Sequence, residues 1–126
     1  MESDNPVSPH DTVERRKHPR YMIRLPLDYR RMGAPKMSPG HTISFGEGGL
    51  MLSCPGRIEV GEKLELRIYY SSKPSFAIIP AIVRVVWTDL DPKEVGNYRF
   101  GVSFSNISPG DKEALKVFLI DYANSG

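Results

Sequence analysis

Cysteine, long apolar runs and net charge are all scarce in this chain. A single cysteine, Cys54, occurs among 126 residues, which excludes an internal disulfide and a zinc site made of several thiolates. Cys54 lies in an apolar stretch typical of a strand, so we expect a small buried hydrophobe. The formal net charge is +2, too small for a protein that coats nucleic acid without sequence preference.

No segment has the composition of a membrane span. Apolar runs stay far below the roughly 20 residues that cross a bilayer, and residues 1–11 lack the apolar centre of a secretory signal. The sequence therefore predicts a cytoplasmic protein with no membrane insertion. Residues 1–13 are polar and contain Pro6 and Pro9, which predicts a disordered tail, and residues 14–126 are long enough for a single domain.

Alternation of apolar and polar residues predicts a β protein. The alternating run that contains Pro26 should lie at a sheet edge or at a bulge, and Pro80 indicates a bulge or break in a later run. Tyr70 ends the alternating run between them. Trp87 ends a long strand, and we place it in the core, with a ligand-facing position as the alternative. The predicted strands span residues 21–29, 41–44, 50–53, 61–70, 76–88 and 97–105, with residues 30–40 as a loop.

The end of the chain predicts a helix. Ser108 provides an N-cap hydroxyl, Pro109 suits the first helical position, and Asp111 suits the first turn. One apolar face should dock on the sheet, and it consists of Leu115, Phe118, Leu119 and Tyr122. The expected fold is therefore all-β with a C-terminal helix, a small antiparallel β-barrel of six to seven strands.

Two stretches have the chemistry of an anion site. Arg16 and Arg20 lie four apart around Pro19, and two guanidinium groups there can grip phosphate, although a solvated basic run at a domain edge is the alternative. Residues 45–49 form a glycine-rich turn between short strands. Its glycines either supply positive φ angles or also let a ligand approach the backbone.

The order of these motifs resembles a PilZ domain, the bacterial receptor module for cyclic di-GMP, over about residues 14–122. Its first hallmark, two arginines separated by three residues, is intact at Arg16 and Arg20. Its second is Asp or Asn, any residue, Ser, two residues and Gly. Aligning Ser44 with the serine puts Thr42 at the acid or amide and adds two residues before Gly49. Aligning Gly49 with the motif glycine instead puts Ser44 at the acid or amide position. We prefer the alignment on Ser44, because its two added residues preserve the alternation of the following strand.

The resemblance implies a non-enzymatic receptor or adaptor that changes its surface on binding cyclic di-GMP and regulates an unidentified protein partner in motility, pilus, biofilm or exopolysaccharide control. Neither a metal nor a further cofactor is implied. The implied ligand contacts are Arg15, Arg16 and Arg20 from the basic cluster, and Thr42, Ser44, Gly48 and Gly49 from the barrel wall.

Other functions are open to the same residues. A PilZ-like protein-interaction module that has lost the nucleotide, acting in motility or polarity, is the main alternative. A barrel that binds single-stranded nucleic acid would need a basic groove with exposed aromatics, whereas these aromatics fall at core-alternating positions, so we expect no DNA or RNA partner. Catalysis is not expected, because no nucleophile, base and orienting group come together in one motif.

The intact hallmark yields a direct test. Arg16→Ala or Arg20→Ala should abolish binding of cyclic di-GMP, because each removes a phosphate-gripping guanidinium, while the thermal midpoint stays nearly unchanged. Calorimetry and thermal unfolding measure the two quantities. A mutant that binds as tightly as the parent would contradict the assignment.

Overall fold

The computed structural model describes residues 20–46, 48–72 and 75–125. The predicted tail, Arg15, Arg16 and Glu47 lie outside the described residues. The strands are β1 Tyr21–Met22, β2 Pro26–Arg31, β3 Ser38–Phe45, β4 Gly49–Cys54, β5 Lys63–Ser72, β6 Ser75–Leu90 and β7 Tyr98–Asn106, and the helix is α1 Pro109–Ser125. Within the described ranges, no helix has both the length and the apolarity that a membrane span requires.

Six of the strands form a closed antiparallel barrel. Their hydrogen-bonded order is β3, β2, β5, β6, β7 and β4, and β4 pairs back onto β3. The short β1 is an extra strand that pairs with the end of β3, where Tyr21 faces Phe45 and Met22 faces Ser44. The predicted small barrel with a C-terminal helix is confirmed.

The barrel interior takes alternate residues of each strand, as the period of two requires. On β5, for example, Leu64, Leu66 and Ile68 are buried whereas Lys63 and Arg67 are exposed. Cys54 is fully buried among these apolar side chains, as expected. Its burial raises the pKa of the thiol, which keeps it protonated and unreactive.

Two differences from the predicted strand boundaries are larger than two residues. The strand expected over residues 21–29 is interrupted at residues 23–25, so it becomes β1 and β2. The loop expected over residues 30–40 shrinks to residues 32–37, because β2 continues to Arg31 and β3 begins at Ser38.

Pro80 neither breaks β6 nor shifts its register, contrary to expectation. It pairs with Arg67 within a ladder that runs without interruption from Lys63 to Ser72. Pairing of β6 with β7 begins only at Ile82, so Pro80 lies where β6 has a strand on one side and its missing N–H is tolerated. The register shifts of β6 fall instead after Ile82 and between Val85 and Trp87.

The helix begins and docks as predicted along most of its apolar face. Ser108 Oγ accepts the backbone N–H of Asp111 at 3.1 Å, which is the expected N-cap bond. Leu115 and Leu119 are buried, and the Phe118 ring lies 4.3 Å from that of Tyr70. Tyr122 differs from the prediction, because it remains 48% exposed.

Replacement of Leu115 by Ala should reduce the free energy of unfolding by about 2–5 kcal/mol, because it leaves a cavity where α1 meets the barrel. Val117→Ala on the same helix is the matched control, since Val117 is 49% exposed, and it should change stability by less than about 0.5 kcal/mol. Urea unfolding measures both. Equal losses in the two variants would show that α1 does not dock through Leu115.

Candidate functional site

A cross-strand row on the outer face of the barrel joins the two sequence motifs. Its members are paired one after another across β1, β3, β4, β7 and β6, and we call them the outer row: Met22, Ser44, Met51, Gly101 and Trp87. The strand register places them on the face of the sheet opposite to the residues that fill the barrel. Met51, for instance, lies between the buried Leu50 and Leu52.

Arg20 lies beside Ser44, the second member of the outer row. Its Nη2 donates a hydrogen bond of 2.8 Å to Ser44 Oγ. A Cβ on Gly46 would lie 3.0 Å from Arg20 Nη1, so the absence of a side chain at residue 46 lets the guanidinium lie close to the hairpin. Arg20 itself is exposed. The arrangement presents a positively charged group beside the outer row.

The glycine-rich turn is fixed against β7. The Gly46 N–H donates to the Gly49 carbonyl at 2.9 Å, and the Phe104 N–H donates to the Gly48 carbonyl at 3.0 Å. A Cβ on Gly49 would lie 1.9 Å from the Val102 carbonyl oxygen, so only glycine fits there, whereas a Cβ on Gly48 would meet no atom within 4 Å. Gly49 is therefore required by the barrel itself, and Gly48 leaves open space at the surface.

Thr42 lies inside the barrel rather than on its outer wall. Its hydroxyl donates to the Ile23 carbonyl at 2.7 Å and accepts the Leu25 N–H at 2.8 Å, and its side chain is fully buried. Residues 42 and 44 would share a face in a regular strand, but a bulge between them turns Ser44 to the outer face, where it is hydrogen-bonded to Arg20 and only 1% exposed. Direct contact of Thr42 with a ligand remains a prediction, and this placement does not favour it.

Trp87 is the last member of the outer row, and its expected place in the core is wrong. Val85 points into the barrel, but the register shift before Trp87 turns the indole outward, where it is partly exposed. The ring covers Gly101, whose added Cβ would lie 1.9 Å from Trp87 Nε1. The Arg99 guanidinium carbon lies 6.0 Å from the indole centroid. The pairing of Trp87 with Gly101 follows from the strand register, which cannot be read from the sequence.

The sequence matches the PilZ domain family over residues 14–121. The chain belongs to this family.

Solved structures of similar fold include a PilZ domain and two further proteins. The inhibitor of motility MotI/DgrA of Bacillus subtilis is 20% identical with a TM-score of 0.74, and the alignment covers 87% of this chain and 52% of that one. The PilZ domain of Escherichia coli YcgR with c-di-GMP is 12% identical with a TM-score of 0.64, covering 88% and 93%. The MrkH–c-di-GMP complex of K. pneumonia is 15% identical with a TM-score of 0.59, covering 86% and 51%.

At these identities the likeness establishes the fold. The chain spans about half the length of MotI/DgrA and of MrkH. No curated protein sequence matches the chain significantly.

The loop between β6 and β7 of this PilZ domain folds against β4 beside the outer row. Asp91 Oδ2 accepts the Ser53 hydroxyl at 2.6 Å, Asp91 Oδ1 accepts the Lys93 N–H at 2.9 Å, and Asn97 Nδ2 donates to Ser53 Oγ at 2.9 Å. Partial burial opposes ionisation of Asp91, but the hydrogen bonds from Ser53, Lys93 and Glu94 prevail and lower its pKa.

Glu94 connects the same loop to the segment between β1 and β2 and to β3. Its Oε1 lies 3.4 Å from Arg24 Nη1 and 3.6 Å from His41 Nε2. His41 Nδ1 lies 3.0 Å from the Thr42 carbonyl oxygen, so this nitrogen is the donor. The loop therefore contacts both β3 and the segment that follows Arg20.

Within the outer row, Met22 is exposed, Met51 and Trp87 are partly exposed, and Ser44 and Gly101 are buried. Grooves of about 380 Å³ and 440 Å³ lie elsewhere, the first beside Arg67 and Asn106 and the second beside Arg24 and His41. Among the residues that the structure describes, no three side chains are grouped as metal ligands. A ligand on the outer row would need to be held by side chains that reach over it.

The Asp91 carboxylate should make stability dependent on pH. Because its pKa in the folded protein is lowered from 3.8, it stabilises the fold above that pH, and the stabilisation disappears as the pH falls through the folded-state pKa. Asp91→Asn should cost about 1–3 kcal/mol at pH 6, and its deficit relative to the parent should narrow towards about pH 3.

Urea unfolding across this pH range measures the deficit. Asp121→Asn is the matched control, because Asp121 is exposed on α1, and it should show little deficit at either pH. A deficit of Asp91→Asn that stays constant with pH would contradict the proposed ionisation.

Proposed function

We propose that this PilZ domain is a cytoplasmic cyclic di-GMP receptor that acts as an adaptor, without catalysing a reaction. The observation that carries the proposal is the position of Arg20, whose guanidinium donates to Ser44 of the outer row and lies beside Gly46. Membership of the PilZ family supports it, as do similar folds in structures described with c-di-GMP.

The chemistry of the outer row suits a nucleotide with phosphates and flat bases. A guanidinium pairs with phosphate oxygens through parallel hydrogen bonds, so Arg20 serves one phosphate and Arg16, with help from Arg15, serves the other. Gly101 has no side chain, and its neighbours in the outer row are Met51 and Trp87. The apolar Met51 side chain and the Trp87 indole suit the face of a guanine. Gly48 leaves space for the ligand to approach the hairpin.

The regulatory step follows from the position of the arginines. Residues 15–20 immediately precede β1, so arginines that bind a ligand on the outer row bring this segment over the barrel wall. The covered wall then differs from the uncovered wall in shape and charge, and a partner protein can distinguish the two states. We propose that this partner acts in motility, pilus function, biofilm formation or exopolysaccharide synthesis.

A second function has an observation in its favour. Thr42 stands where the family has an acid or amide in the preferred alignment, and it presents no atom to the outer surface. A PilZ module that binds a protein in motility or polarity without the nucleotide would need no such group. The fold of MotI/DgrA, an inhibitor of motility, is compatible with this function.

Calorimetry with cyclic di-GMP distinguishes the two functions. We expect saturable heat with the folded parent at tens of micromolar protein, and Met51→Glu should weaken binding by at least about tenfold because its carboxylate repels the phosphates. Ile78→Glu is the matched control: Ile78 is 49% exposed on β6 outside the outer row, and this variant should bind as the parent does.

The absence of heat with the folded parent would contradict the receptor function and leave the protein-binding module. Binding by the parent with equal affinity in Met51→Glu would show that the nucleotide lies elsewhere than on the outer row.

A further inference from the structure

Thr42 makes an unusual set of contacts for a buried hydroxyl. Its Oγ1 accepts the Leu25 N–H at 2.8 Å and donates to the Ile23 carbonyl at 2.7 Å, while its own N–H donates to the Leu25 carbonyl at 2.9 Å. One residue thus satisfies three polar groups of the segment 23–25. We call these three hydrogen bonds the Thr42 latch.

The latch lies between the two places where this part of the chain is paired. Met22 pairs with Ser44 on one side, and Pro26 pairs with His41 on the other. The ladder is interrupted between these pairs, so strand pairing does not determine the path of residues 23–25. The Thr42 hydroxyl supplies two hydrogen bonds to this segment, next to the residues through which β1 pairs with β3.

The position of Arg20 depends on the register of β1 against β3. β1 has only the two residues Tyr21 and Met22, which is too short to hold its register without further contacts. Arg20 reaches Ser44 Oγ only when Met22 stays opposite Ser44. Ile23 and Leu25 are each 7% exposed, so their carbonyl and N–H have little access to water if the hydroxyl is removed.

We propose that Thr42 is a positioning residue for nucleotide binding, which acts from inside the barrel by fixing the register of β1 and hence the place of Arg20. The proposal rests on the proposed receptor function. Its chemistry is specific to a residue with both a hydroxyl donor and acceptor: valine has the same shape as threonine but neither function, and serine retains both. Thr42→Val and Thr42→Ser are therefore a matched pair.

The affinity for cyclic di-GMP should separate the pair. If loss of the latch leaves Arg20 in place for about one-tenth of the time, the apparent dissociation constant rises about tenfold in Thr42→Val. Thr42→Ser should stay within about threefold of the parent. Ile79→Val controls for loss of stability, because Ile79 is buried on β6 away from Arg20, and it should destabilise the fold without weakening binding.

Hydrogen exchange tests the latch without any ligand. In Thr42→Val, the amides of Met22 and Leu25 should exchange at least about tenfold faster than in the parent, while β5 amides change only as in Ile79→Val. Unchanged exchange at Met22 would overturn the proposal, as would faster exchange with full nucleotide affinity. A parent that binds no cyclic di-GMP would end the receptor function, and exchange alone would then decide whether the latch fixes β1.

If Thr42→Val does not fold, the parent and Thr42→Ser still provide the test. Cyclic di-GMP at saturation should slow exchange of the Met22 and Leu25 amides by the same factor, because both amides are released in the opening that moves Arg20. Slower exchange at Met22 with no change at Leu25 would overturn the proposal.

Discussion

The pairing of β3 with β4 is the constraint on which the rest of the structure depends. It closes the barrel, and it also brings Ser44 beside Met51, which the β4–β7 ladder connects to Gly101. The outer row continues beyond this hairpin only because β4 also pairs with β7, a strand distant in sequence. The close fit of the hairpin, with Gly49 against the Val102 carbonyl, shows how little space the closure leaves.

Much of the fold was predictable because it follows from local patterns. Alternating apolar residues located the strands, and Ser108 and Pro109 located the start of α1. These signals depend on residues near one another in sequence, so no knowledge of strand pairing is needed. The same is true of Cys54, whose apolar neighbours predicted its burial.

The candidate site was less predictable, and two bulges explain why. Strict alternation puts Thr42 and Ser44 on one face, and Val85 and Trp87 on one face, but a register shift within each pair turns Ser44 and Trp87 outward. A bulge depends on how a strand matches its neighbour. The sequence could therefore indicate the residues of the site but not the faces on which they lie.

The arrangement of β6 also affects how the protein behaves among other copies of itself. Residues 75–81 of this strand precede the point where its pairing with β7 begins. The same stretch includes the exposed Phe76 and Ile78. An apolar strand with a ladder on one side is a template for adding further strands. Pro80 removes one backbone donor from this stretch, so an incoming strand cannot form a continuous ladder along it. A proline at this position therefore disfavours the addition of a further strand along this part of β6.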